Sequence, residues 1–340
     1  MQILEHYSVE DGIKVAVTQR RYRIAFQGFL TFTKQTAEQL LQEQPRQIEH
    51  KIISYIRYLN TVKQQNRGTI NVSVSAIFHF FEMNDILLNK YKVRKFMPED
   101  DNDRDRDKAY THQQIRQILE VCDERSKVAI LLMCSTGMRM GALPDIKLSH
   151  LQEYKGVYKI VVYANSPKHR YYTFCTPECK KAIDNYLEYR RRFGDPLHEK
   201  APLIREQFDI KIAARHPRAV SNDGMLWIVT NVLRKSGQKS REIMRTHGFR
   251  KFAITQMIKA KVDYNTREFL VGHKHSRGLD EYYDRTNEDD RFQEYLKAVN
   301  LLTISEEYRL KKEVERLTVD RAQWSELAEE VKTLKELLKG

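Results

Sequence analysis

The sequence predicts a mainly α-helical protein with a small β-hairpin, an α+β fold divided between two domains and a helical tail. Apolar residues recur at helical spacing, two short β-prone runs flank a turn, and a charged run with no apolar residue separates two patterned regions. The expected parts are a helical domain over 1–100, a linker over 101–108, a second domain over 109–304 and a tail over 305–340.

The N-terminal domain is predicted to be all helical. One helix is expected over 34–44, where Pro45 ends it, and a second over 48–64, with isoleucines at helical spacing. A third helix is expected over 70–83. The first 32 residues are mixed and predict no single element.

The second domain combines helices with one hairpin. Thr111 is placed to cap a helix, and the apolar run 128–133 predicts a buried central helix that ends near Gly137. Pro177 opens a further helix, expected to end at Arg192, and the region 203–239 is ambiguous. The predicted strands are 157–163 and 170–175, with a turn at 165–168 between them.

The tail is rich in Glu, Lys and Leu and has a heptad-like pattern. Arg321 and Lys335 interrupt this pattern. A short coiled coil and a solitary amphipathic helix packed on the domain both fit. The residues in a/d register are Leu310, Val314, Leu317, Trp324, Val331 and Leu338.

The excess of positive charge indicates a polyanionic partner. Fifty-nine Lys and Arg oppose 46 Asp and Glu, a formal net charge of +13, which favours nucleic acid first and an anionic membrane second. No apolar run approaches the roughly 18 residues that span a bilayer, and the first residues lack a secretion signal pattern. Four cysteines suggest a reducing interior, so a cytoplasmic protein without a metal or cofactor is expected.

Four separated segments carry side chains suited to one anionic ligand. His247 and Arg250 are three residues apart and share a helix face, while Phe249 and Phe252 would anchor the other side in the core. The planar guanidinium suits phosphate oxygens, and imidazole can donate to a phosphate or move a proton. The candidate residues are Arg139, Lys168, His247, Arg250, His273 and Tyr282.

Together these segments resemble the tyrosine recombinase (integrase) family. Its motifs are T-G-x-R, a hairpin lysine, H-x-x-R, G-H and a tyrosine nine residues later. Here they read Thr136-Gly137-Met138-Arg139, Lys168, His247-Gly248-Phe249-Arg250, Gly272-His273 and Tyr282. The resemblance covers roughly residues 108–302 as a catalytic domain, and the N-terminal part resembles the family's core-binding domain. The amino-acid sequence of the C-terminal part is most similar to that of archaeal integrases.

The resemblance implies a site-specific DNA recombinase that cleaves and rejoins strands through a 3′-phosphotyrosyl intermediate. Arg139 and Arg250 would clamp the non-bridging oxygens of the phosphate without a metal. His247 and His273 would hydrogen-bond the same phosphate, and His247 is a candidate to accept the tyrosine proton. Tyr282 would be the nucleophile.

The leaving 5′ hydroxyl needs a proton donor, for which the resemblance implies Lys168. The family's Gly-Lys-Gly-x-Lys turn keeps only this lysine here, so Lys159 is an alternative. The family's acidic residue three after the first arginine is Ala142. The nine-residue spacing favours Tyr282 as nucleophile, with Tyr283 as the alternative.

The expected partners are double-stranded DNA with specific attachment sites and other copies of the chain, forming a tetramer in the synaptic complex. The favoured role is the integrase of an archaeal mobile element or virus, acting on the nucleoid or in the element's host cell. Alternatives are a host recombinase that resolves chromosome dimers, a type IB topoisomerase, a non-catalytic DNA-binding protein and a basic coiled-coil interaction protein. Phosphate contacts are expected from Arg57, Lys63, Arg67, Lys168, Arg170 and Lys251.

Overall fold

The computed structural model describes residues 6–99, 108–208, 213–238, 245–273 and 287–311, with six tail positions: 314, 317, 318, 321, 324 and 325. Over these residues the fold is mainly helical with one small antiparallel sheet, which confirms the predicted fold class. The chain divides into two compact units, residues 1–103 and 104–340. No helix of the described part is long and apolar enough to cross a membrane.

The first unit is built from helices around a core of aliphatic and aromatic side chains. Its helices are α1 (Ala16–Thr33), α2 (Ala37–Leu41), α3 (Pro45–Thr61), α4 (Arg67–Met83) and α5 (Lys90–Arg94). The helix α1 packs against α3 and α4, and its buried residues are Phe26 and Phe29. The sequence predicted no single element there, because arginines are interspersed with the few core residues.

The described part of the second unit adds a sheet and three short 3₁₀ turns to its helices. Before the sheet lie α6 (His112–Glu120), α7 (Glu124–Thr136) and the 3₁₀ turns Met140–Asp145 and Leu148–His150. The strands are β1 (Leu151–Tyr154), β2 (Val157–Val162) and β3 (Tyr171–Phe174). After them come α8 (Pro177–Arg192), the 3₁₀ turn Ala213–Arg215, α9 (Asn222–Lys235), α10 (Arg245–Lys259), α11 (Tyr264–Leu270) and α12 (Glu288–Leu302).

The helix α7 lies in the centre of the second unit, where it contacts α8, α9, α10 and α12. Its residues from Val128 to Thr136 are all buried, as the apolar run predicts. Asp123 caps its first turn by accepting the backbone N–H of Ser126 at 2.7 Å. Gly137 ends the helix with φ of 66°, a left-handed conformation that glycine adopts without a Cβ penalty.

The sheet has the order β1–β2–β3, and both neighbouring pairs are antiparallel. Val162 pairs with Tyr171, which confirms the predicted hairpin and leaves residues 163–170 as its connection. The strand β1 is an addition to the prediction. Its four residues have no clear alternation, with only the two ends partly covered, so the pattern was too short to identify.

Candidate active site

Arg250 joins three turns of the second unit. The helix α10 carries it, and the residue is only 3% exposed. Its Nη1 donates to the carbonyl oxygen of Gly137, at the end of α7, and to that of Val271 at 2.7 Å. Within the described residues Nη2 has no hydrogen-bond partner. One arm of the guanidinium therefore holds the scaffold, while the other is buried without a hydrogen-bond partner among the described residues.

Arg139 lies beside this group, two residues after Gly137. Its Nη1 donates to the carbonyl oxygen of Gly272 at 3.1 Å, and its side chain is exposed. Gly272 follows Val271, the acceptor for Arg250. Both arginines are thus positioned by one short turn after α11, through adjacent backbone carbonyls.

The two guanidiniums repel each other at this site. Burial, and then the charge of Arg139, lower the pKa of Arg250 to about 10, against the attraction of Tyr171 and Glu268. The group remains charged at neutral pH. A buried guanidinium near a second one is stabilised by an anion that both can contact, so the site is chemically suited to a phosphate.

His273 has a carboxylate partner that the sequence analysis did not identify. Its Nδ1 donates to Oε2 of Glu268 at 2.7 Å, across five residues. This bond leaves Nε2 as the ring nitrogen available to a ligand. The family's acidic position near the first arginine is the buried Ala142, so the acid of this site comes from α11. Only the five-residue spacing of Glu268 and His273 could have indicated it.

His247 and Lys251 lie on the same helix as Arg250. His247 is exposed in the first turn of α10, and Lys251 is partly exposed. Phe249 and Phe252 are fully buried, as predicted. The helix therefore presents its polar residues at one end of a segment that is anchored by two aromatic rings.

The hairpin contacts the arginine site through tyrosines. Gly272 has φ of 66°, and a Cβ there would overlap the ring of Tyr171 on β3. Burial raises the pKa of Tyr163, opposed by the charges of Arg139 and Arg250. Lys168 is exposed in the connection between these two tyrosines, and the described contacts do not include one between Lys168 and the arginines.

Lys159, the alternative lysine, has a different environment. Its Nζ lies 2.8 Å from Oε2 of Glu288, in the first turn of α12, and its side chain is 17% exposed. Next to it Lys155 pairs with Asp289 at 2.7 Å. These two ion pairs join β2 and the turn before it to the start of α12, so Lys159 is occupied by a structural contact.

The predicted phosphate-contacting residues of the first unit are exposed. Arg57 is on α3 with its guanidinium 5.4 Å from the ring centre of Phe96, and Lys63 follows that helix. Arg67 begins α4 and donates to the carbonyl oxygen of Pro98 at 3.1 Å. Arg170 of the second unit is exposed before β3.

The two candidate nucleophiles, Tyr282 and Tyr283, lie outside the described residues. Among the residues that are described, no group of three His, Cys, Asp or Glu side chains is placed to hold a metal ion. What the structure brings together is therefore two arginines, a carboxylate-bound histidine and the end of a hairpin.

The profile of the phage integrase family matches residues 108–289, more than half of the chain. The chain belongs to this family. Tyrosine recombinase XerC of Lactobacillus leichmannii is 27% identical over 150 residues, which are 44% of this chain and 47% of that protein. XerC of Anoxybacillus flavithermus is 22% identical over 169 residues, 50% and 53% of the two chains. The chain thus spans about half the length of these curated relatives.

Solved structures of recombinases have the same fold. XerH bound to difH in a pre-cleavage complex has a TM-score of 0.56 at 13% identity, over 82% of this chain and 79% of that one. Lambda integrase, residues 75–356, bound to DNA has a TM-score of 0.55 at 14% identity, over 82% and 90%. A lambda integrase tetramer bound to a Holliday junction also has a TM-score of 0.55. Its identity is 15%, over 78% of this chain and 74% of that one.

Proposed function

We propose that this chain is a site-specific DNA recombinase that cleaves and rejoins DNA through a 3′-phosphotyrosyl intermediate. The observation that carries the proposal is the Arg250 guanidinium. Its Nη1 is held by two backbone carbonyls, Nη2 has no partner among the described residues, and Arg139 adds a second positive group. Membership of the phage integrase family supports the same chemistry.

The two arginines suit the charge that develops during attack on a phosphodiester. Attack at phosphorus increases the negative charge on the non-bridging oxygens, and preorganised donors lower the barrier most where that charge appears. Arg139 and Nη2 of Arg250 would donate to these oxygens. His273, oriented by Glu268, would donate to the same phosphate from Nε2 when both of its ring nitrogens carry a proton.

In the proposed cleavage step the oxygen of Tyr282 attacks phosphorus and the bond to the 5′ oxygen breaks. A free tyrosine side chain has a pKa near 10, so the proton of the nucleophile needs an acceptor, for which we propose His247. Lys168 gives a proton to the departing 5′ oxygen. Attack by a 5′ hydroxyl of another strand on the phosphotyrosine reverses the step and needs no external energy source.

The proposed substrate is double-stranded DNA with specific attachment sites, and the proposed assembly is a tetramer. The solved lambda integrase tetramer on a Holliday junction supports the assembly. We propose the integrase of a mobile element or virus, acting on the nucleoid or in the element's host cell. The proposal that this element is archaeal rests on the amino-acid sequence of the C-terminal part alone, since these curated relatives are bacterial.

A host recombinase is the second candidate, favoured by the name tyrosine recombinase XerC of the curated relatives. Sequencing the recombinant junctions in cells that produce the protein separates the two. Junctions between two different DNA molecules at paired attachment sites support an integrase. Junctions between two copies of one chromosomal site support the host role.

A suicide DNA substrate tests the cleavage chemistry directly. A nick a few nucleotides to the 3′ side of the scissile phosphate lets the short fragment that carries the new 5′ hydroxyl diffuse away, so the covalent adduct accumulates and is visible on a denaturing gel. We expect an adduct that forms in the presence of a chelator and is absent from Tyr282→Phe, with Tyr283→Phe as the matched control. If Tyr282→Phe forms the adduct and Tyr283→Phe does not, the nucleophile is Tyr283. If the wild-type protein forms no adduct, the proposal is contradicted.

A further inference from the structure

The described part of the tail carries exposed apolar side chains that form a stripe. Every described position from 306 to 325 is helical. Leu310, Val314, Leu317 and Trp324 are 65%, 62%, 54% and 70% exposed. Large apolar side chains with this exposure on one helix face indicate a surface that binds another element.

The spacing of the stripe indicates what kind of element binds it. The steps from Leu310 through Val314, Leu317 and Arg321 to Trp324 alternate between four and three residues. The sequence continues this rhythm to Val331 and Leu338, with an interruption at Lys335. A mean period of 3.5 keeps the stripe facing a supercoiled partner helix, whereas packing on a globular surface follows the straight-helix period of 3.6.

A second copy of the chain supplies a helix with the identical repeat. In this register Leu310, Leu317 and Trp324 occupy d positions, and Val314 and Arg321 occupy a positions. The residues before the a positions are Glu306, Glu313 and Asp320 in the first part of the tail, and Leu327 and Leu334 in the second part. The residues after the d positions include Lys311, Lys332 and Lys339. Parallel pairing sets Glu306 against Lys311 of the other copy, whereas antiparallel pairing sets the flank of Glu306, Glu313 and Asp320 against its own counterpart.

The start of the tail is fixed to the second unit. The Glu178 carboxylate accepts the backbone N–H groups of Ile304 at 2.7 Å and Ser305 at 3.0 Å. Arg116 pairs with Glu306, and Nζ of Lys181 lies 5.5 Å from the ring centre of Tyr308. A contact between two tails is therefore transmitted to the catalytic units that carry them.

We propose that the tails of two copies pair as a parallel coiled coil in the absence of DNA. Arg321 at an a position faces its own counterpart in such a pair, so the association is weak and depends on concentration. This dimer contact is independent of the cleavage chemistry, since none of the site residues lies in the tail. If the tails do not pair, the proposed recombinase function is unaffected. If the protein does not cleave DNA, the proposed tail pairing is unaffected.

Sedimentation velocity of the full-length protein without DNA, over a wide concentration range, tests the pairing. We expect a monomer–dimer equilibrium for the wild type. The double variant Leu317→Glu/Trp324→Glu should remain monomeric, because both side chains are exposed in one chain and would be buried in the pair. The control Val319→Glu/Gln323→Glu makes the same charge change at outer positions of the repeat and should still dimerise. A wild-type monomer at all concentrations, or dimers of Leu317→Glu/Trp324→Glu, would overturn the proposal.

Two further readouts distinguish self-pairing from another dimer contact. Arg321→Leu removes a like-charged a-position pair and should tighten the dimer at least about tenfold. The chain has two tryptophans, so Trp227→Phe leaves Trp324 as the sole one, and its emission should shift to the blue as the dimer forms. An unchanged dissociation constant for Arg321→Leu, or emission that does not change with dimerisation, contradicts a parallel tail pair.

Discussion

At the scale of single residues, the site depends on how Arg250 divides its donors. Nη1 contributes to the scaffold through Gly137 and Val271, and Nη2, buried without a described partner, is the donor that we propose for the phosphate. A lysine has one ammonium and cannot supply two separated donors in a plane. The geometry therefore explains why an arginine is needed at this position.

Glu268 is expected to act through His273. Glu268→Ala removes the acceptor for Nδ1 and should slow covalent adduct formation roughly 10- to 100-fold, the value of a hydrogen bond to a charged group. Glu268→Gln should retain most of the rate, because its amide oxygen can still accept this bond. Single-turnover adduct formation on a suicide substrate measures both.

A double variant separates positioning from general stability. If Glu268 works only through His273, His273→Ala/Glu268→Ala should be no slower than His273→Ala alone. If the rate losses of the two single variants instead multiply in the double variant, Glu268 has a role independent of His273. Melting temperatures of all four proteins check that folding is retained.

At the scale of elements, the turn after α11 brings the two arginines and the hairpin together. Gly272→Ala should destabilise the fold through the left-handed φ of 66° and through overlap with the Tyr171 ring. Gly156→Ala has a similar φ of 85°, with no described atom within 4 Å of the added Cβ. It should cost about 1 kcal/mol from conformation alone.

Chemical denaturation of both glycine variants measures the difference. The free energy of unfolding should fall clearly further for Gly272→Ala than for Gly156→Ala, because only the former adds steric overlap. Equal losses would mean that Tyr171 moves aside freely, and that it does not hold the hairpin against this turn.

The attachment of the tail is expected to depend on pH. Burial raises the pKa of Glu178 above its usual 4.5, although the N–H groups of Ile304 and Ser305 oppose the shift. The folded state therefore binds this proton more tightly than the unfolded state. The resulting stability is present below the unfolded pKa and is lost as pH rises through the folded pKa.

Comparison with Glu178→Gln isolates this contribution. The free energy of unfolding of the wild type minus that of the variant should decrease as the pH rises from about 4.5 towards neutrality. Urea titrations of both proteins at several pH values give this difference. A difference that increases with pH would contradict the raised pKa.

The sequence was most informative where a local rule sets the structure. The predicted helix from Pro177 to Arg192 has those bounds because Thr176 caps it and proline fits its first turn. The helix α1 and the strand β1 were missed, since tertiary packing stabilises them rather than a strong local pattern.

The same limit applies to the site. The T-G-x-R and H-x-x-R motifs located Arg139 and Arg250, because their spacing is local. The roles of Gly137, Val271 and Gly272 as carbonyl acceptors depend on distant segments meeting. The pairing of Lys159 with Glu288 spans 129 residues and could not be predicted from either one.

At the scale of the whole molecule, the net charge of +13 predicts strongly salt-dependent DNA binding. Replacing Arg57, Lys63 or Arg67 by glutamine should each weaken binding on all sequences. Each should also reduce the slope of log K against log salt by about 1. Fluorescence anisotropy with labelled duplexes measures the slope.

Arg192→Gln is the matched control for these charge changes. Its guanidinium already pairs with Glu188 at 3.1 Å, so we expect little effect on the slope. If the control and the three variants change the slope equally, the first-unit residues have no special part in phosphate contact.

Arg250 is proposed to stabilise the negative charge of a DNA phosphate, and a substrate with a neutral group in place of that phosphate tests this role. Single-turnover adduct formation is compared for wild type, Arg250→Ala and Arg250→Lys on suicide substrates with a phosphodiester or a methylphosphonate at the scissile position. On the phosphodiester, Arg250→Ala should lose about 10²- to 10³-fold, typical of one lost oxyanion donor. On the methylphosphonate, which lacks one anionic oxygen, the loss should be much smaller. Equal losses on both substrates, in variants that retain the wild-type melting temperature, would contradict the claim.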